Sequence, residues 1–448
     1  MKKYSVFFAL SIVLCTFVTV VYGQWIETTI PVGSLPVALV WNSQFNTIYC
    51  ANMSSNNVTV IDGQTNSVIT TITVGTTPRA LVGNSQNNKI YCANAISNSV
   101  TIIDGRANAV IATINVGTYP NNFAWNSINN KVYCANNGSG SVTVIDGQTN
   151  SVISTVNVGE GPSALVWDST NNKVYCAVYD NDNVAVIDGQ TNSLVTTIPT
   201  GSDPLALAWN AQNNKIYCLN RGSNNITVID GQTYSVITTV SVGGYPFALA
   251  WNAQDNKIYC SNMTGSSVTV IDGQTNSVIT TINTGSQPTY LFWQSHNNKV
   301  YCARDVYDNV KVISGQTNSV IASLTIDSPS AFCWNSIQNR IYVANYQIST
   351  VTVIRDSIVS GIEETRGQMQ EVRDFEVYPN PAKTYFTVRI PQSADRSEVK
   401  MFDVNGNIVK SEELKGKNNR ISLEGIKNGI YFIKIGNELI REKLVISK

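Results

Sequence analysis

A unit of 42 residues, repeated without interruption from residue 24 to residue 356, constrains this chain more than any other feature. A Val-Gly or Thr-Gly pair returns at Gly33, Gly75, Gly117, Gly159, Gly201, Gly243 and Gly285. Tryptophan returns at Trp41, Trp125, Trp167, Trp209, Trp251, Trp293 and Trp334, with Gly83 once in its place. Ile-Asp-Gly returns at Asp62, Asp104, Asp146, Asp188, Asp230 and Asp272. Each unit holds four short runs rich in Val, Ile, Thr and Tyr; in the first they span 38–42, 47–52, 58–61 and 67–74. Such runs, parted by polar turn residues, read as strands. Asp62-Gly63 and Asn87-Asn88 accept turn conformations at low cost. Four antiparallel strands in about 40 residues is the size of one propeller blade. The spacing therefore predicts an all-β fold: an eight-bladed β-propeller of four-stranded blades.

The eighth copy has three strands and ends near Arg355. The chain opens, however, with Trp-Ile-Glu-Thr-Thr-Ile-Pro-Val-Gly at 25–33, which matches the fourth strand of other copies. That segment is expected to complete the last blade, because an open ring would expose a sheet edge. Residues 357–362 are a rival for the same place.

The tetrads Tyr49-Cys50-Ala51-Asn52 through Tyr342-Val343-Ala344-Asn345 resemble the signature of the YVTN family of β-propellers. The likeness covers 24–356 and implies the fold. It implies little about activity, since propellers host unrelated functions.

Cysteine occupies one position in seven successive copies, Cys50 to Cys302, and Val343 takes it in the eighth. Packed sheets lie about 10 Å apart, whereas disulfide partners need Cα atoms within roughly 7 Å. The position therefore reads as a small buried apolar site, not a bridge or a metal ladder. Cys333 stands in a different strand.

The ends differ from the repeat. Met1-Lys2-Lys3, an apolar run to Tyr22, and Gly23 describe a signal peptide over 1–23. No other segment is apolar enough to span a membrane, so none is expected in the mature chain. Residues 24–356 carry 13 Lys/Arg and 17 Asp/Glu in 333 positions, whereas 374–448 carry 13 and 10 in 75. That shift marks a second domain beyond a linker at 357–373. Its strand-like runs, at 375–378, 385–390, 399–403, 420–423, 429–435 and 439–445, fit a small β-sandwich, with Asn405-Gly406 as a hairpin turn. Tyr378-Pro379-Asn380-Pro381, Asp403-Val404-Asn405-Gly406, the run from Gly429 through Tyr431 to Lys434, and Lys443-Leu444-Val445-Ile446 resemble the type A C-terminal sorting domain of the type IX secretion system. The resemblance implies the type IX machinery as a partner. It also implies a destination outside the outer membrane, surface-attached or released.

Net charge is zero, so nothing electrostatic points to nucleic acid. In a four-stranded blade, the first and third turns share one face, here nearly unvarying. The second turns and the blade-to-blade connections share the other, and these vary. An asymmetric site belongs where copies differ. Tyr179, Asp180 and Asp182 in the fourth copy, and Arg304, Asp305, Tyr307 and Asp308 in the seventh, are the candidates, with Arg221, Glu160, Asp203, Tyr119 and Tyr245 on the same face. Aromatic and charged groups at a propeller mouth suit a surface glycan, a peptide or another surface protein. Catalysis is poorly provided for. His296 is the only histidine and sits in an unvarying turn, and Glu27 and Glu160 are the propeller's only glutamates. No nucleophile–base pair or zinc-ligand cluster appears, and no residue set calls for a cofactor. A metal-assisted lyase or lactonase is the alternative to a binding protein.

Overall fold

The structure, a computed structural model, describes residues 20–285, 287–304, 308–360, 376–378, 382–389, 398–402, 408–414, 418–435 and 442–446. The backbone alone is described at 20–22, 357–360, 376–377, 389, 430, 432, 434–435, 442–443 and 445. The signal-peptide reading thus falls mostly outside the described residues.

Eight four-stranded antiparallel sheets make the propeller. In blade 1 the strands are Pro36–Asn42, Thr47–Asn52, Asn57–Asp62 and Val68–Thr73, ordered from the inner edge outward. Blades 2 to 7 span 78–115, 120–157, 162–199, 204–241, 246–283 and 291–325. The inner strands contact one another in sequence, and that of blade 8 contacts that of blade 1, so the ring closes. Six of the other seven inner strands likewise begin with proline, which an edge strand tolerates at its first residue because no ladder N–H is needed there.

Burial follows from position. The second and third strands of blade 1 are almost wholly buried. They lie between strands within the sheet and between blades outside it, so both faces are apolar. The outer strand is mostly exposed, with Ile72 its buried residue. Eight apolar clusters, each drawn from two consecutive blades, form the core, and seven of them include a tryptophan.

Blade 8 closes as expected. Val20–Pro31 pairs antiparallel with Thr350–Ser360, from Val20 opposite Ser360 to Pro31 opposite Thr350. Residues 357–360 extend the third strand and do not form a fourth. A bulge at Glu27 interrupts the ladder. Bulges re-aim side chains, and here the Glu27 carboxylate meets the guanidiniums of Arg340 and Arg355. Those cations hold its acid strength above the ordinary carboxylate value, outweighing the opposing effect of burial.

One hydrogen-bond device, a buried tyrosine hydroxyl donating into the third turn of the next blade, ties seven of the eight blades to their neighbours. Tyr49 donates to Asn108 Oδ1 in the third turn of blade 2 (2.5 Å), and Tyr217 to Asn276 Oδ1 (2.8 Å). Lys89 makes the corresponding reach from blade 2 to blade 3, to Gly147 O and Asn150 Oδ1, both at 2.8 Å. Burial raises these tyrosine hydroxyls, Tyr91 to about 12. At Tyr234 the turn lacks the usual asparagine, and Lys173 instead pairs with Asp188 within its own blade at 2.8 Å.

The eight cysteines from Cys50 to Cys333 are buried and unbridged. Desolvation pushes every one of these thiols up, Cys302 to about 12. Cys15 lies outside the described residues.

The chain divides into two compact units, at 1–362 and 363–448. In the second, Glu376–Tyr378, Tyr385–Arg389 and Asn418–Ser422 form one sheet. Ile408–Glu413, Glu398–Phe402, Gly429–Ile435 and Glu442–Ile446 form another. Phe386, Val388, Ile421, Met401, Ile433 and Leu444 share one core drawn from both sheets. Ile408–Glu413 is a strand the sequence reading missed. It lies at a sheet edge and reads Ile-Val-Lys-Ser-Glu-Glu; charged edges discourage stray pairing and obscure the apolar alternation.

Candidate functional site

The varying face is built by a recurring turn. At its tip a residue with left-handed backbone offers a side-chain oxygen to the N–H that leads into the next blade. Asn56 does this for Thr77 at 2.8 Å, and Asn224 for Tyr245 at 2.7 Å. Asp182 and Asp308 occupy the same position, accepting from Asp203 N and Ser328 N at 2.9 Å each. Two of the carboxylates singled out from sequence therefore hold turns, with the geometry that asparagine has elsewhere.

The residue just after each second strand stands at one height around the ring. Blade 4 places Tyr179 there and blade 5 Arg221, after Lys173–Val178 and Lys215–Asn220. Tyr245 leads into blade 6. These three come together. The Arg221 guanidinium lies 5.1 Å from the Tyr179 ring centroid and 5.0 Å from that of Tyr245. Its Nη2 donates to the Tyr179 hydroxyl. Its Nε is buried without a hydrogen-bond partner. Among the described residues no carboxylate forms an ion pair with it. The result is a cation held between two rings, an arrangement that strengthens as water is excluded.

Asp180 is exposed beside this stack, its carboxylate lying over Gly161. A Cβ at Gly161 would come within 2.3 Å of Asp180 Oδ2, and φ there is +74°. Glu160 is exposed on the same rim, where Asn181 Oδ1 accepts its N–H at 2.6 Å.

Arg304 is not part of the group. It belongs to blade 7 and is 9 % exposed. Its Nη1 donates to Asn309 Oδ1 at 3.1 Å, the tie that Asn52 makes to Asn57 in blade 1. Asp305 and Tyr307 lie outside the described residues. His296 is exposed in its turn.

Sequence reasoning missed two neighbouring features. Arg79 sits 5.4 Å from the Tyr119 ring and donates to its hydroxyl at 2.6 Å. Phe247 and Tyr290 meet edge to face at 5.4 Å. Arg79, Phe247 and Tyr290 stand directly after the inner-strand prolines or one place on. These places differ from blade to blade, and that variability was a signal available in the repeat alignment.

In the second unit, Tyr378 is exposed and Tyr431 is buried, donating to Lys427 O at 3.0 Å. Gly429 opens its strand, and Lys443 pairs with Phe432 in the last. Pro379, Asn380 and Pro381 lie outside the described residues.

Among the described residues no three His, Cys, Asp or Glu side chains gather at metal-binding range. No helix there is long and apolar enough to cross a membrane.

Comparison with known proteins gives two family matches. Residues 10–217 match the YNCE-like beta-propeller, and residues 376–447 match the secretion system C-terminal sorting domain. A stretch of 62 residues is 39 % identical to beta-agarase A of Zobellia galactanivorans, 14 % of this chain and 12 % of that protein. Among solved structures, the computationally designed Ika8 protein superposes with a TM-score of 0.62 at 17 % identity over 72 % of this chain and 96 % of its own. The dihydro-heme d1 dehydrogenase NirN gives 0.60 at 12 %, over 88 % and 79 %. Hydrazine synthase of Kuenenia stuttgartiensis gives 0.53 at 17 %, over 74 % and 98 %. At these identities the structural likeness speaks to fold.

Proposed function

We propose that this chain, a β-propeller carrying a type IX sorting domain and so bound for the outer-membrane surface or beyond, is a non-enzymatic binding protein. Its ligand is an anionic glycan or peptide, or an acidic patch on another surface protein, taken up at the varying face. The observation that carries this reading is Arg221, fixed between Tyr179 and Tyr245 with a buried, unpartnered Nε–H and, among the described residues, no carboxylate in an ion pair with it. A guanidinium presents donors in a rigid fork matched to carboxylate, sulfate or phosphate. Ring faces beside it suit a sugar or an aromatic side chain. Asp180 and Asp182 border the stack, and the blade 7 group of Arg304, Asp305, Tyr307 and Asp308 is a second, weaker candidate on the same face.

The test is binding of the mature chain to acidic and neutral glycans and to peptides. Arg221→Ala should weaken the acidic ligand at least tenfold, and Arg221→Lys by a similar amount, since lysine lacks the planar fork. Joint replacement of Arg304, Asp305 and Asp308 should change little. Binding that survives Arg221→Ala together with Tyr179→Ala places the site elsewhere.

A further inference from the structure

Blade 2 differs from the other seven at one half-buried place on the unvarying side. Where they carry tryptophan it carries Gly83. The indole of each blade sits against the blade before it: Trp41 joins the cluster shared by blades 8 and 1, and Trp125 the cluster shared by blades 2 and 3. The cluster shared by blades 1 and 2 has no tryptophan. In its place is a cavity of about 280 Å³, bordered by Val40, Val82, Gly83, Asn88 and Ile90. A Cβ built on Gly83 would stand 3.6 Å from Val40 and 3.7 Å from Ile90, ordinary contact distances. The exposed Ser43 and Ser85 also border it, on the side of the first turns.

The hydrogen-bond partner of the missing indole remains. In five blades the tryptophan Nε1–H donates to the asparagine five residues on, from Trp293 to Asn298 at 3.2 Å up to Trp209 to Asn214 at 3.5 Å. Asn46 Oδ1 accepts from both Trp41 and Asn335 Nδ2. Its counterpart in blade 2, Asn88 Oδ1, accepts from Asn42 Nδ2 at 2.8 Å, and no indole reaches it. A carbonyl oxygen has two lone pairs, and Asn88 is among the residues that line the cavity. Shape and acceptor thus survive where the side chain is gone.

We propose that this cavity is a binding site for an indole group, supplied by a free small molecule or by a tryptophan side chain of a partner. The cavity is half open, with polar groups at its mouth, and its apolar side, formed by Val40, Trp41, Val82 and Ile90, suits one flat aromatic ring. Asn88 Oδ1 selects an N–H donor. The site is independent of the Arg221 stack, being three blades away and on the opposite face.

The probes are indole, 1-methylindole and N-acetyltryptophanamide, titrated calorimetrically into the full mature chain. Indole should bind with a dissociation constant on the order of 100 µM, by ordinary ligand efficiency for nine heavy atoms. 1-Methylindole, lacking the donor, should bind about tenfold more weakly. Gly83→Trp should abolish binding and raise the thermal midpoint by several degrees, as cavity filling does. It should fold, because Trp125 already packs against Val82, the counterpart of Val40. Should it not fold, Gly83→Leu and the 1-methylindole comparison carry the test. Equal binding of N-acetyltryptophanamide supports a partner's side chain, and its failure beside indole supports a small molecule. No indole binding to the wild type, undiminished binding to the filled variant, or no preference for the N–H overturns the proposal.

Discussion

Lys299 Nζ and Asp356 Oδ1 meet at 2.5 Å with both side chains removed from solvent, 2 % and 0 % exposed. In blades 2, 3, 5 and 6 the equivalent lysine reaches a carbonyl in the next blade's third turn. Blade 8 has no such turn, because its fourth strand comes from the other end of the chain. Asp356 supplies the missing acceptor. Removing one partner of a buried pair leaves a stranded charge, so Asp356→Ala should cost about 3–5 kcal/mol. Lys299→Met with Asp356→Leu should recover most of it. Urea unfolding at neutral pH reads both.

The clasp at Glu27 leads to a second expectation. Glu27→Gln keeps the shape and loses charge against Arg340 and Arg355, and should cost about 1–2 kcal/mol. The loss should appear first as faster amide exchange in residues 24–31. A chain beginning at residue 34 leaves the third strand of blade 8 as an open edge, and should self-associate by light scattering.

Acid should act through the turn aspartates. Asp188 is held down to about 2, chiefly by Lys173 and then by the Thr191 N–H, from an ordinary 3.8. Asp146, Asp230 and Asp272 are also lowered, led by backbone N–H donors. Their folded values lie below their unfolded ones, so their contribution is whole above about pH 4 and is lost as pH falls toward 2. Tyr234→Asn restores the asparagine acceptor of the neighbouring turns and should draw Lys173 across the blade boundary. The Asp188 carboxyl, followed by NMR, should then titrate higher, nearer the other three.

The thiols should be silent. With every described cysteine buried and its ionisation pushed up, alkylation of the native chain should be negligible on the hour scale and complete in denaturant. Cys50→Val should change stability by less than about 1.5 kcal/mol, since Val343 already fills that place in blade 8.

The blades were legible because period and composition agree at every level: alternating β-formers, Asp-Gly turns, one tryptophan per copy. Closure by residues 25–33 was legible because that segment matches a fourth strand. The edge strand Ile408–Glu413 was not, because Lys410, Glu412 and Glu413 mask its alternation. Of the site, Tyr179, Arg221 and Tyr245 could be placed on one face, yet their stacking depends on blade rotation, which spacing does not encode. Asp182 and Asp308 look like ligands in sequence because a carboxylate is conspicuous. In space they do the work of Asn56. Gly83 reads as a lost tryptophan, and what the loss leaves behind needs coordinates.

In a ring of eight, blade 8 lies across the centre from blade 4. The propeller's two chain ends both leave from blade 8, with Val20 and Ser360 side by side. Entry to and exit from the ring thus share one point of its circumference, and the rim that carries Tyr179 belongs to the blade diametrically opposite that point.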